Sequence, residues 1–182
     1  MFYKCILVVL WLFFSCSSDV QPKPNAYLRL DYPTPEYKKL SLKAPFSFEY
    51  NLYAEVKEID QRTPKLVYPE MKATLYLTYN SIDQNLDSLL NDAYQLPYKH
   101  LSKAESIPER LFINKQHKVY GTLFTVVGNA ASQYQFFLTD SLHHFLVGSL
   151  YFYAKPNYDS IFPAVDYLQK DITHLMETIE WR

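Results

Sequence analysis

Six apolar residues near the end of the chain, Ile161, Val165, Leu168, Ile172, Leu175 and Ile179, step by 4, 3, 4, 3 and 4. That is the spacing of one stripe along an α-helix, and a stripe of this length has to be buried against another element. Asp159 or Ser160 supplies its cap, and Pro163 falls in its first turn, where a missing N–H does no harm. What precedes the stripe is strand-like. Residues 46–50 alternate strictly, and 54–59 alternate again. Residues 72–79 put Ala73, Leu75, Leu77 and Tyr79 on one face and Thr74, Tyr76 and Thr78 on the other. The final helix therefore has a sheet to lie on.

Between these blocks the period changes once. Leu86, Leu89, Leu90, Ala93 and Leu96 fall at helical spacing behind Ser81 or Asn85 as a cap, and Pro97 ends or kinks the helix. Four further strands follow, at 107–113, 118–127, 132–140 and 144–155. Their separators are short and rich in Asn, Gly and Ser, which suits hairpins and an antiparallel meander. The fold class is thus α+β: a mostly antiparallel sheet packed by helices, one on each face or both on one. The element order resembles the PsbP/Mog1 architecture, an α-β-α sandwich, a likeness of topology that carries no function.

The chain opens differently. Residues 2–14 are almost unbroken apolar sequence behind a single cation, Lys4, and end at Ser15-Cys16-Ser17-Ser18-Asp19. A core of that length makes a secretory signal, since a bilayer-spanning helix needs roughly 20 residues. A cysteine at the break, with small residues around it, is the arrangement of a bacterial lipoprotein, in which the thiol is acylated before cleavage. Residues 1–15 then form a lipoprotein signal peptide and Cys16 is the lipidation site. A cleaved secreted protein and a retained N-terminal anchor are the other readings of the same segment. Residues 16–35 carry Pro22, Pro24, Pro33 and Pro35 around a short alternating stretch at 27–31, and read as a lipidated tether with a small strand in it. Residues 36–182 are expected to form a single α+β domain.

Composition narrows the function classes. Lys4 is the only charge in residues 1–15, so a formal charge of −1 becomes −2 on their removal. That leaves no electrostatic case for nucleic acid or for a polybasic membrane patch. Cys5 lies in the signal and Cys16 is used for acylation, which excludes disulfides, thiol catalysis and cysteine-based zinc sites. With 3 glycines, Gly121, Gly128 and Gly148, no phosphate-cradling loop of either common spacing can form. Against this, 17 Tyr and 12 Phe suit half-buried sheets and also surfaces that other proteins cover.

No catalytic motif of useful specificity is present, neither Gly-x-Ser-x-Gly nor His-Glu-x-x-His among others. His143 and His144 are adjacent and would point to opposite faces of a strand. Asp171, His174 and Glu177 are three apart on the last helix and spread over about 120° of its surface; a polar helix flank explains them as well as a ligand site does. His100 and His117 read as solvated. Asp140, Ser141 and His143 can be drawn as a triad, yet all three sit in one turn, and turn chemistry explains them better. Glu177 and Glu180 form an exposed carboxylate pair with nothing to perturb them. The expectation is a protein that is not an enzyme, with no catalytic, cofactor-binding or metal residues and no cofactor.

Several strings together carry a resemblance. They are Lys118-Val119-Tyr120-Gly121, Gly128-Asn129-Ala130-Ala131-Ser132, Gln135-Phe136-Phe137-Leu138-Thr139-Asp140-Ser141 and His144-Phe145-Leu146. Pro156-Asn157-Tyr158-Asp159-Ser160 and the ending His174-Leu175-Met176-Glu177-Thr178-Ile179-Glu180-Trp181 extend it. Upstream, Pro22-Lys23-Pro24, residues 46–50 and Tyr98-Lys99-His100 fit as well. In these the chain resembles the gliding motility lipoprotein GldD family of the Bacteroidetes, over essentially the whole mature sequence. The resemblance implies a palmitate-bearing cell-envelope lipoprotein needed for gliding and for the linked type IX secretion machinery, with other envelope proteins of those systems as partners. It carries over no catalytic residue, and only the acylated cysteine maps, onto Cys16. The expected location is the periplasmic face of the outer membrane, with the outer leaflet of the inner membrane as the alternative. The rival function is a small-ligand module that holds a sugar or lipid fragment in a cleft between sheet and helix.

Overall fold

A computed structural model describes residues 30–40, 43–58, 63–155 and 157–182. Cys16, the signal and most of the proposed tether, including the start of the short strand at 27–31, lie outside the described residues. The strands are β1 (Tyr37–Leu40), β2 (Phe46–Asn51), β3 (Glu55–Glu58), β4 (Pro64–Tyr68), β5 (Ala73–Ser81), β6 (Ala104–Ser106), β7 (Glu109–Asn114), β8 (Val119–Thr125), β9 (Val127–Gly128), β10 (Ser132–Thr139), β11 (His144–Phe152) and β12 (Glu180–Trp181). Among the described residues two helices join them, α1 (Leu86–Tyr98) and α2 (Tyr158–Thr178).

Seven strands form the main sheet in the order β3-β4-β5-β11-β10-β8-β7, and every neighbouring pair is antiparallel. The register places Phe136 opposite both Leu123 and Gly148, and Leu146 opposite Tyr79, so these side chains share one face. That face takes α2. Its stripe of Val165, Leu168, Ile172 and Leu175 packs with Leu75, Leu77, Phe136, Leu138, Leu146 and Leu150 into the larger core. The opposite face of the same strands presents Phe124, Phe137 and Phe145, and these close over α1 through Ala93, Leu86, Leu89 and Leu90. A helix therefore lies on each face, which settles the two arrangements that patterning left open.

A second sheet, β1-β2-β12, extends the cover on the α2 side. Phe46 and Phe48 of β2 are fully buried in the larger core, and the Phe46 ring lies 5.7 Å from that of Tyr79 on β5. Four strands of this architecture escaped the alternation reading, and two of them, β6 and β12, are only 3 and 2 residues long. β1 is only 4 residues long, and β4, Pro64-Lys65-Leu66-Val67-Tyr68, opens on a proline, which reads as a breaker. The expected strand at 118–127 divides into β8 and β9, because Gly128 at φ 125° turns the chain toward β6. Capping also differs. Asn157, not Asp159 or Ser160, occupies the cap position of α2, and the Tyr158 N–H is taken by Asn129 Oδ1 at 2.8 Å, from the loop before β10. Pro163 sits beyond the first turn, inside the helix.

Candidate functional site

The residues that patterning singled out go to different places. Asp140 is the lock of the β10–β11 turn: its Oδ1 accepts the backbone N–H groups of Leu142, His143 and His144 at 2.8–2.9 Å. Burial alone would raise this carboxyl, but the three N–H groups outweigh it and hold it below the ordinary carboxylate value. Ser141 takes the left-handed conformation that the turn needs, φ 67°, and its N–H is held by Thr139 Oγ1. His143 projects into solvent, with Nδ1 3.6 Å from Asp140. His144 turns inward instead. Its Nδ1 is 2.8 Å from the Tyr79 hydroxyl, its ring stacks on Trp181 at 5.2 Å, and burial lowers its pKa.

The trio on the last helix separates as well. Asp171 is buried, 5 % exposed, and its two oxygens accept Tyr37 OH and Asn51 Nδ2, each at 2.9 Å. Burial raises its pKa, and the hydrogen bonds from Asn51, Tyr37 and Tyr68 work against that rise. His174 stacks on Tyr37 at 3.6 Å and reaches Glu49 Oε2 at 2.8 Å, while Glu177 is exposed. The expected polar flank is in part an internal fastening of β1 and β2 onto α2. Tyr37, Asn51, Tyr68 and Tyr167 complete it, and none of them had a local signal. Glu180 has left the helix for β12, where Lys39, at 2.5 Å, holds its carboxyl below the ordinary value. His100 is half-buried beside Tyr151, not solvated, and burial lowers its pKa. Among the described residues no group of three or more His, Cys, Asp or Glu could hold a metal ion.

The feature with the form of a binding surface lies on the α1 face. α1 covers β10 and β11 and meets β7 at its end, where Tyr98 OH donates to Glu109 Oε1 at 2.7 Å, but the strip between the rest of the helix and the sheet edge stays open. Leu86, Leu90 and Tyr94 line it from the helix, and Leu111, Ile113 and Tyr120 from β7 and β8; Thr122 and Phe137 contribute to it as well. It is a groove of about 280 Å³. Leu111 is 74 % exposed and Ile113 62 %, which is unusual for aliphatic side chains that alternate along a strand. β7 is also the last strand of its sheet, so among the described residues no strand lies beside its outer backbone groups. Apolar side chains beside an open edge can receive an added strand or the apolar face of a helix.

A second concavity, of about 410 Å³, lies at the start of α2 between Glu105, Asn129, Asn157, Tyr158, Asp159 and Phe162. It is the more polar of the two. One of its amides, Asn129, is already committed to the Tyr158 N–H.

No helix among the described residues is long and apolar enough to cross a membrane. A family model described as gliding motility lipoprotein GldD matches residues 17–181. No curated protein matches the chain.

Proposed function

The chain belongs to the gliding motility lipoprotein GldD family, and on that premise we propose that it is a non-catalytic assembly or stabilising component of the cell envelope, required for gliding and for the linked type IX secretion. A lipid on Cys16 holds it to the periplasmic face of the outer membrane, and partner proteins of the two systems dock on its folded part. The observation that carries this reading is the groove between α1 and β7, where Leu111 and Ile113 stand exposed on the edge strand of the sheet. Buried aromatic and aliphatic anchors of this kind dominate protein–protein affinity, and the groove brings few charged groups to a small molecule.

Deleting the protein abolishes surface spreading and reduces export of secreted adhesins on this reading. Leu111→Asp or Ile113→Asp, at exposed positions that leave the core intact, reproduces the motility defect at normal protein level. A deletion strain that glides and secretes normally sinks the assignment, and gliding unaffected by either aspartate removes the groove from it. The small-ligand reading has its own support in the cleft at the start of α2, where Tyr158 and Phe162 stand among amides and carboxylates. Phe162→Ala would then abolish motility while both groove variants glide.

A further inference from the structure

The main sheet ends, on the side where β5 finishes and β11 begins, in two neighbouring hairpin turns. They are neighbours because β8 pairs with β7 on one side and with β10 on the other, with Asn114 opposite Val119 and Tyr120 opposite Thr139. One turn carries Lys115, His117 and Lys118, all exposed. The other carries Leu142, 68 % exposed, and His143. Turns at the end of a sheet normally present small polar residues, so a bare aliphatic side chain among lysines and histidines needs a reason. The carboxylate within these turns does not neutralise the lysines: Asp140 is turned onto three backbone N–H groups and faces only His143. On the neighbouring elements, Glu180 is held by Lys39 and also faces the charge of His117 in the first turn, Glu177 is exposed on α2, and Asp83 and Asp87 stand at the start of α1.

We propose that this tip, Leu142 with Lys115 and Lys118, rests on an anionic lipid surface and sets the orientation of the domain on its membrane. The inference rests on the lipoprotein reading above, which puts a bilayer within reach. Tyr32 packs on Tyr167, about midway along α2, 5.2 Å between rings. From there to the tip end of α2 is about 16 Å, whereas the 14 residues from Cys16 to Leu30 span up to about 50 Å. The tether therefore allows contact. Charge and apolarity together specify lipid: lysine stems lie along acyl chains while the ammonium groups meet phosphates, and Leu142 enters between the headgroups. The net charge of −2 expected for the mature chain hides this local concentration, which exists only because the fold puts the two turns side by side. With the tip on the bilayer, the groove beside β7 opens close to the membrane, where an envelope partner can reach it.

Acylation of Cys16 leaves the mature chain without a free thiol, so Leu142→Cys gives one labelling site in the full acylated protein. With an environment-sensitive NBD probe there, in phosphatidylcholine vesicles containing phosphatidylglycerol, the emission shifts to the blue and is quenched by headgroup-proximal doxyl lipid. The same probe at Leu101→Cys, near the opposite end of the sheet, is not quenched, and Lys115→Glu with Lys118→Glu removes the effect at 142. Equal quenching at both positions, or none at 142 while the protein still floats with the vesicles, overturns the proposal and leaves the anchor standing. Shielding at 142 that needs envelope proteins and is absent in pure lipid assigns the tip to a protein partner and also overturns it. Failure to float at all removes the lipid anchor, and the orientation with it.

Discussion

Asp171 lies deep between α2 and the second sheet, where a carboxylate is expensive to keep charged, yet each of its oxygens has a donor. Asp171→Ala removes the acceptor of the Tyr37 hydroxyl and of one Asn51 amide hydrogen, and equilibrium denaturation should show a loss of about 1–3 kcal/mol. The pH dependence has a definite sign. A carboxyl whose folded pKa is raised above its unfolded value stabilises the fold most when protonated. That contribution is complete below the unfolded value and is lost as pH rises through the folded one. Asp171→Asn cannot ionise, and the Tyr37 hydroxyl can turn to accept its amide. The stability of this variant relative to wild type therefore improves from pH 4 toward pH 8, and a gap independent of pH would contradict the raised pKa. Gly148 makes a different demand. A Cβ there would lie 2.2 Å from the ring of Phe136, itself buried in the core. Gly148→Ala should cost about 1–3 kcal/mol or prevent folding, read by the same denaturation. Helical spacing put Asp171, His174 and Glu177 on one flank, but it could not show that one of them meets Asn51, 120 residues earlier in the chain. Contacts of that range have no local signature.

α2 shows at the scale of an element which features are local and which are borrowed. Its apolar stripe was readable because the period of a helix dictates which residues share a face. Its N-terminus was not, because the group that satisfies the first N–H comes from Asn129, 29 residues away. Asn129→Ala should remove a cap and lower stability by about 0.5–2 kcal/mol, and it should do so without altering β10. At the other end β12 carries Trp181 back to pair with Phe46, and its ring stacks on His144. The indole N–H is buried without a partner among the described residues. With residues 1–15 removed, Trp181 is the only tryptophan, and its emission should shift to the red on unfolding. Unchanged emission would mean that β12 is not docked in solution. The β4 strand and the exposed β7 are the counterparts: alternation is a burial pattern, so a short strand opened by a proline gives too little of it, and an edge strand gives it without saying which face is covered.

For the whole molecule, the proposed lipid anchor and the proposed docking groove lie at separate places in the chain. Cys16→Ala should end incorporation of labelled palmitate, because residues 17–182 contain no other cysteine. Persistent labelling of that variant would place the acyl chain elsewhere. Local order in the sequence was enough to determine the fold class, the antiparallel meander, the stripe of α2 and the family resemblance, since each depends on residues a few positions apart. Only the tertiary structure decided that the helices take opposite faces, that α1 leaves the strip beside β7 bare, and that two turns 22 residues apart bring lysine and leucine to one tip. Those outcomes depend on strand order and register, in which β11 returns to pair with β5 across an intervening helix and hairpins. Pairing of that kind is fixed by the total burial of the folded chain, which no window of neighbouring residues contains.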